Sequence, residues 1–573
     1  MMTAPVVRRA FTVSFSNMPR IRPTRLVPAL LLAAACGGGT APPETAPAPS
    51  APVPMPAPMT ATRPGARPLP VPPLVDGPLA IRVEYPAPNQ VITSRDSNFM
   101  LGSVGSGRAT LLVNGVPARI YPNGAFMVYL VNPPASAPAY ELVAARGADT
   151  ARSTLAIRYP APRVAPVPPP RKLENLPTTK ADTIAALGAR IDSMQAELTR
   201  NNPIGVVQLG TPSPANDTDV VIIGRPINAG TYKWFFTPGT IVSLVAYANG
   251  EARVRLDEGQ DVWVDSSLAR PMPAGTSVPR RATSNMRVRA SRTGADVVIP
   301  LGARAPYFVE EGDRSIAITL YGVRGNTDIV NYASADSLVR TVEWAQVLPD
   351  RVRITVNLRN APYGYLVLYE NNSLVLKVRG RPAIDQSHPL SGLTIAVDPG
   401  HPPVGATGPT GLYEAQAVLP VGMRLKKMLE DRGATVVMTR STDAPVALEA
   451  RPIIARKANV NAFVSIHLNA YPDGVNPFLH PGSGTYFFRT HSEPLAREVQ
   501  RGLVANMSLE DLGVNYDNLA VVRGTWYPAV LCEGAFIILP DQEAAMRTPE
   551  YQERYAQGIV DGLEAYFRKL PQQ

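Results

Sequence analysis

The sequence predicts a multidomain chain in which small all-β modules precede a C-terminal α/β domain with a mostly parallel, open sheet covered by helices. Three observations predict it. The 573 residues amount to roughly three to five average domains. From about Leu79 to Gly380, short runs of alternating apolar and polar residues recur between Asn-Gly and Pro signals, the period-two pattern of strands with one buried face. After Leu393, continuous apolar runs alternate with amphipathic stretches of helical period, as in a sheet buried on both faces.

Composition narrows the function classes. The 61 prolines are about twice the usual share, which fits globular units on proline-rich connectors. Two cysteines exclude a disulfide-dense scaffold or a zinc ribbon. The net charge of +10 is concentrated at the start, where residues 1–75 carry seven arginines against Glu44 alone. The remainder is close to balanced, so the charge argues for no nucleic-acid partner.

Taken in order, Arg20, Arg22 and Arg25 precede an apolar stretch from Leu26 to Ala35, too short for a stop-transfer helix and read as a signal peptide over 1–36. It ends "LLAAAC" at Cys36 with glycines behind it. This resembles the lipobox of bacterial lipoproteins, which implies lipidation of Cys36 and a membrane anchor, although Ala33 stands where Leu is usual. Met18 fits this pattern as a start better than Met1. Residues 37–77 are a Pro/Ala-rich tether that cannot bury enough apolar surface to offset its ordering entropy.

Residues 78–160, with "AIRVEYP", "ATLLVNGVPARIY" and "AFMVYLV", predict an antiparallel β-sandwich and resemble bacterial immunoglobulin-like modules. A proline-rich linker and a short helix occupy 161–200. Residues 204–272 form a meander the size of an SH3-like barrel, in which Trp234, Phe235, Phe236 and Trp263 either fill a core or line a groove. Residues 284–382 resemble the AMIN domain that precedes many bacterial cell-wall amidases and is thought to localise them on the envelope.

Chemistry concentrates in 391–570. His401 directly follows the apolar strand "LTIAVDPG", Glu414 opens the next helix, His467 sits at the end of the strand in "AFVSIHLNA", and Glu533 ends the apolar strand "PAVLCE". Two imidazoles and a carboxylate from separate strand ends can form a catalytic zinc site with an open fourth position, and Glu533 can act as general base. Because the ligands are scattered and no H-E-x-x-H repeat is present, spacing alone leaves this open. Cys532 has apolar neighbours and reads as a buried core residue rather than the nucleophile of a Cys-His hydrolase.

The strings "IAVDPGH", "GLYEAQ", "VVMTRSTDAPVALEAR", "KANVNAFVSIHLNA", "SGTYFF" and "WYPAVLCEGAF" resemble, in order and approximate spacing, the zinc-dependent N-acetylmuramoyl-L-alanine amidases over residues 393–568. The resemblance implies His401, Glu414 and His467 as Zn²⁺ ligands and Glu533 as the catalytic glutamate. It implies hydrolysis of the amide between N-acetylmuramic acid and L-alanine of the peptidoglycan stem peptide, on the periplasmic side of the cell envelope. Where the family usually has two glycines after the first histidine, this chain has Pro402 and Pro403, which stiffen the loop and remove two backbone donors.

Other readings of the same residues stay open. Asp398 either hydrogen-bonds a ligating imidazole or shapes the turn. Asn469 and Arg523 are candidate substrate contacts, Arg440 and Arg451 read as structural ion pairs, and His480 and His491 as surface histidines. The 471–483 segment is too short for a plugging helix and its return, so the site is expected to be open or gated by upstream domains. Alternatives to the amidase are a non-catalytic peptidoglycan-binding lipoprotein and a zinc hydrolase of another peptide. A divisome or activator partner is not legible.

Overall fold

The structure, a computed structural model, describes residues 67–94, 96–161, 202–211, 221–334, 336–403 and 405–571. The leader with Cys36, most of the tether and residues 162–200 of the linker with its helix lie outside them. The chain divides into two compact units, one containing Leu74–Pro160 and Ala470–Leu479, the other Ala161–Asn469 and His480–Gln573. Among the described residues, no helix is long and apolar enough to cross a membrane.

In the first unit, seven strands pair antiparallel in the spatial order Arg82–Tyr85, Ser97–Ser103, Ala125–Val131, Val116–Ile120, Thr110–Val113, Ala139–Arg146, Asp149–Ala156. Alternation drives the burial: Leu111 and Val113 are buried while Thr110 and Leu112 are exposed. They join Met100, Phe126, Val128, Leu142 and Leu155 in one core. The Asn-Gly signal makes the hairpin between two of these strands, with Asn114 at φ 49° and Gly115 at φ 77°, the left-handed conformations that a two-residue turn requires.

The 470–479 segment contains turns and no helix, and it is bonded into this unit. Asp473 accepts from the Thr93 backbone N–H and hydroxyl, both at 2.9 Å, and from the Tyr85 hydroxyl. Gly474 donates its N–H to Asn98 Oδ1 at 3.0 Å and accepts from Tyr129 at 2.9 Å. Gly474 has φ +83°, and a Cβ there would lie 2.7 Å from Ser94 Oγ.

The second unit begins with an antiparallel five-stranded sheet running from Gly205–Leu209 to Ala269–Pro271, and a two-stranded ribbon of Ile222–Gly224 and Trp234–Phe236. Trp234 and Phe236 are buried in its core, and the Trp234 indole donates to the Tyr321 hydroxyl at 3.2 Å. Of the two aromatic readings, core filling describes these two side chains. Next come a five-stranded and a four-stranded sheet between Met286 and Arg379, enclosing a core that includes Val297, Ile318, Ile354 and Leu376.

The C-terminal domain, numbered from its own start, comprises β1 (Thr394–Pro399), α1 (Glu414–Glu430), β2 (Thr435–Met438), α2 (Ala450–Lys457), β3 (Ala462–Asn469) and β4 (Gly482–Phe487). It continues with α3 (Glu493–Met507), β5 (Glu510–Tyr516), β6 (Ala529–Phe536), α4 (Pro540–Met546) and α5 (Pro549–Lys569). The sheet order is β2-β1-β3-β6-β4-β5. β2, β1, β3 and β6 are parallel, whereas β4 runs antiparallel to β6 and β5 follows β4.

The expected mostly parallel sheet therefore holds for four strands and is corrected at one edge. Residues 470–481 join β3 to β4 without a helix to carry the chain back along the sheet, so β4 starts near where β3 stops and runs in reverse.

Helix α1 forms because Val418, Val421, Leu425 and Leu429 recur at helical spacing and are all buried. It packs with α5, which in turn packs on α3. The opposite face differs from the expected helical cover. Ala455 of α2 shares it with Val521, Val522, Trp526 and Tyr527, and Leu366 of the preceding β module packs against them.

That module is tied to the domain by buried polar contacts. Arg379 donates to the carbonyls of Val460 at 2.6 Å and Trp526 at 2.9 Å. His491, expected on the surface, is instead buried, with Nδ1 3.0 Å from Glu311. Burial would raise the Glu311 carboxyl, but the imidazole and Arg489 outweigh it and hold it at about 2.

Candidate metal centre

Strand ends and one helix start deliver the site. Leaving β1, the chain passes Gly400 to His401; His467 lies near the end of β3, and Glu533 lies on β6. His467 and Glu533 are register partners on adjacent parallel strands, so their side chains leave the same face of the sheet. Tyr555 of α5 fixes this pair of strands: its hydroxyl donates to the carbonyls of His467 at 2.9 Å and Cys532 at 2.8 Å.

Glu414, the first residue of α1, joins the two histidines. Its Oε2 lies 3.1 Å from His401 Nε2 and its Oε1 2.9 Å from His467 Nδ1. The backbone N–H groups of Ala406 at 3.1 Å and Leu468 at 3.0 Å also donate to it. The imidazole centroids are 5.2 Å apart with planes at 70°. One donor atom from each of the three residues lies within 4.8 Å of the other two.

Two glycines make this convergence possible. A Cβ at Gly400 would sit 2.4 Å from the His467 ring, and one at Gly405 would sit 2.6 Å from Glu414 Oε2.

Electrostatics favour a cation here. Burial acts to raise the Glu414 carboxyl, but the two imidazoles overcome it and hold the group well below the usual carboxylate range. Burial likewise lowers His401, and Glu414 more than offsets it. Glu533 goes the other way: burial first, and then the Glu414 charge, hold its carboxyl well above the usual range. Its Oε2 is buried with no hydrogen-bond partner among the described residues. Two ring nitrogens and one carboxylate that converge, with the unpartnered Oε2 of Glu533 on the register partner of His467, fit a divalent ion of borderline softness.

The remaining residues singled out in the sequence fall elsewhere. Asp398 is fully buried and bonded to Thr439, to Arg451 at 2.7 Å and to Ser465 at 2.7 Å; these bonds brace the strand end and go to neither imidazole. Asn469 closes β3, its carbonyl accepting from the Ile537 N–H at 3.2 Å. Arg523 donates to Asn518 at 2.7 and 2.8 Å, and lies over the Tyr232 and Phe235 rings. These contacts hold Arg523 within its own loop and the upstream module.

Cys532 is buried, and burial pushes its thiol far up, against a nucleophilic role. His480 is exposed, 3.8 Å from Glu510.

Sequence reasoning missed the weight carried by Arg440. Its guanidinium donates to the carbonyls of Pro399 at 2.8 Å, Gly400 at 2.8 Å and Ala415 at 2.6 Å. The available signal was an arginine two residues beyond the short strand "TVVM", where a side chain reaches the neighbouring strand end.

The family of N-acetylmuramoyl-L-alanine amidases matches residues 395–565, the segment that holds all four site residues. Among curated relatives, the N-acetylmuramoyl-L-alanine amidase LytC of Bacillus subtilis is 35% identical over 187 residues, covering 32% of this chain and 37% of that protein. The probable cell wall amidase LytH of Staphylococcus saprophyticus is 31% identical over 232 residues, covering 40% of this chain and 72% of that protein. Of solved structures, the amidase AmiC2 of Nostoc punctiforme is 31% identical, covering 31% of this chain and 99% of that one, with a TM-score of 0.30.

The chain belongs to this amidase family through its C-terminal third. It spans between 37% and 60% of the length of the first curated relatives it matches.

Proposed function

We propose that the protein is a zinc-dependent N-acetylmuramoyl-L-alanine amidase that cleaves the amide between the lactyl group of N-acetylmuramic acid and L-alanine of the peptidoglycan stem peptide. The observation that carries this reading is the convergence of His401, Glu414 and His467 donor atoms within 4.8 Å, beside Glu533. Those three residues would hold the ion, which when bound supplies a Lewis acid that polarises a carbonyl and makes water far more acidic, toward a pKa of about 7.

The chain's own residues supply the rest. Glu533 takes a proton from the attacking water as the C–O bond forms, and returns it to the departing L-alanine nitrogen as the C–N bond breaks. A carboxyl held above its ordinary range by burial suits this two-way role better than a strongly acidic one. Glu414, anchored by two backbone N–H groups and paired with both imidazoles, keeps the site preorganised.

The reading extends to the upstream segments: a lipid anchor at Cys36, a tether, and β modules that present the enzyme to the wall in the cell envelope. The LytH relatives are by name probable cell wall amidases, which supports that setting.

Incubation with purified muropeptides tests the proposal. New lactyl carboxylate and L-alanine amine ends are expected, to be abolished by chelation and restored by zinc. Cleavage at another peptide bond would indicate a different zinc peptidase, and intact muropeptides a non-catalytic wall-binding protein; either result contradicts the proposal.

A further inference from the structure

His401 is a metal-ligand candidate on an unusual piece of backbone. It has φ +58°, a conformation that costs an L-residue roughly 1–2 kcal/mol, and it is followed by two prolines without N–H groups. Something outside the loop must hold it. Arg451, at the start of α2, is 3% exposed and donates to the carbonyl of His401 itself, to that of Pro399 at 3.0 Å and to that of Val446 at 3.3 Å. Its other partner is the buried Asp398 carboxylate at 2.7 Å, itself clamped by Thr439 and Ser465.

We propose that Arg451 is a positioning residue for the metal centre: locked by Asp398, its planar fork pins the His401 backbone so that the imidazole stays aimed at Glu414. The proposal rests on His401 being a zinc ligand. A fork with several donors in fixed directions can bridge a carboxylate and successive carbonyls, which a lysine ammonium cannot do in the same geometry. Arg440 binds the neighbouring carbonyls of Pro399, Gly400 and Ala415 but not that of His401. Arg451 is therefore the side chain that sets this ligand.

The test is Arg451→Lys in the full chain, which keeps the buried charge and loses the fork. Zinc affinity measured by chelator competition is expected to fall about 10- to 100-fold, the range seen when an outer partner of a ligand is lost. Amidase kcat at saturating zinc should return to within a few-fold of wild type with KM unchanged. Zinc affinity within twofold of wild type overturns the proposal, as does a raised KM with unaltered zinc affinity, which would make Arg451 a substrate contact.

If the lysine variant fails to fold, the Thr439→Val, Ser465→Ala pair strips two donors from Asp398 without changing charge. Zinc binding weakened at least threefold supports the proposal, and unaltered binding overturns it. A wild-type chain without zinc affinity overturns the metal reading as well, so the two failures are told apart by the wild-type titration.

Discussion

Glu533→Gln is expected to lower kcat by about 10²- to 10⁴-fold, the usual contribution of a positioned acid or base, while zinc content and KM stay near wild type. Glutamine preserves the volume of the side chain on β6 but cannot accept and return a proton. Because Glu533 is not among the three residues whose donor atoms converge, its loss leaves the ligand set intact. The structure makes the substitution tolerable: Glu533 Oε2 has no hydrogen-bond partner among the described residues, so no donor is orphaned there. Single-turnover assays on muropeptides, with metal analysis of the same sample, check this. Near-normal turnover would remove Glu533 from the mechanism.

Glu414→Gln is expected to do the reverse, losing the metal first and activity with it. The amide oxygen can accept from only one of the two backbone donors, Ala406 at Oε2 or Leu468 at Oε1, and its NH2 then faces the other, so one N–H at the start of α1 loses its acceptor. The negative charge that both imidazoles face is gone as well, and a neutral amide is a poor zinc ligand. Zinc affinity should fall by more than the roughly 10- to 100-fold expected for an outer partner, and excess zinc should restore activity only in part. Chelator competition with parallel activity measurements separates this from Glu533→Gln: loss of turnover with full zinc retention at Glu414→Gln would exclude it from the ligand set.

Much of this architecture was legible because burial writes itself into the chain. The runs "IAVD", "AFVSI" and "PAVLC" are too continuously apolar for a one-sided sheet, and they became three adjacent central strands. His401 and His467 stand where such strands end and Glu414 opens the next helix, but spacing alone left their meeting open, and it was the motif resemblance that implied the three as one ligand set. Strand direction at the edge was not legible, since β4 reverses only because residues 470–481 return no helix across the sheet.

His491 read as a surface residue because no buried strand precedes it; its burial depends on Glu311, 180 positions away, which no local pattern encodes. Asp398 and Arg451 could be named as polar residues near the site, but they pair with each other, Asp398 also accepts from the Thr439 and Ser465 hydroxyls, and Arg451 also donates to backbone carbonyls. Backbone acceptors are identical at every position, so the sequence does not say which ones a side chain will reach.

Anomalous scattering at the zinc edge, from crystals of the zinc-loaded chain, tests the central claim most directly. The account predicts one strong peak at about 2.0–2.2 Å from a nitrogen of His401, an oxygen of Glu414 and a nitrogen of His467, with the Glu533 carboxylate beside it and not bonded to it. A peak at other residues, or none at these three in crystals that contain zinc, would contradict it.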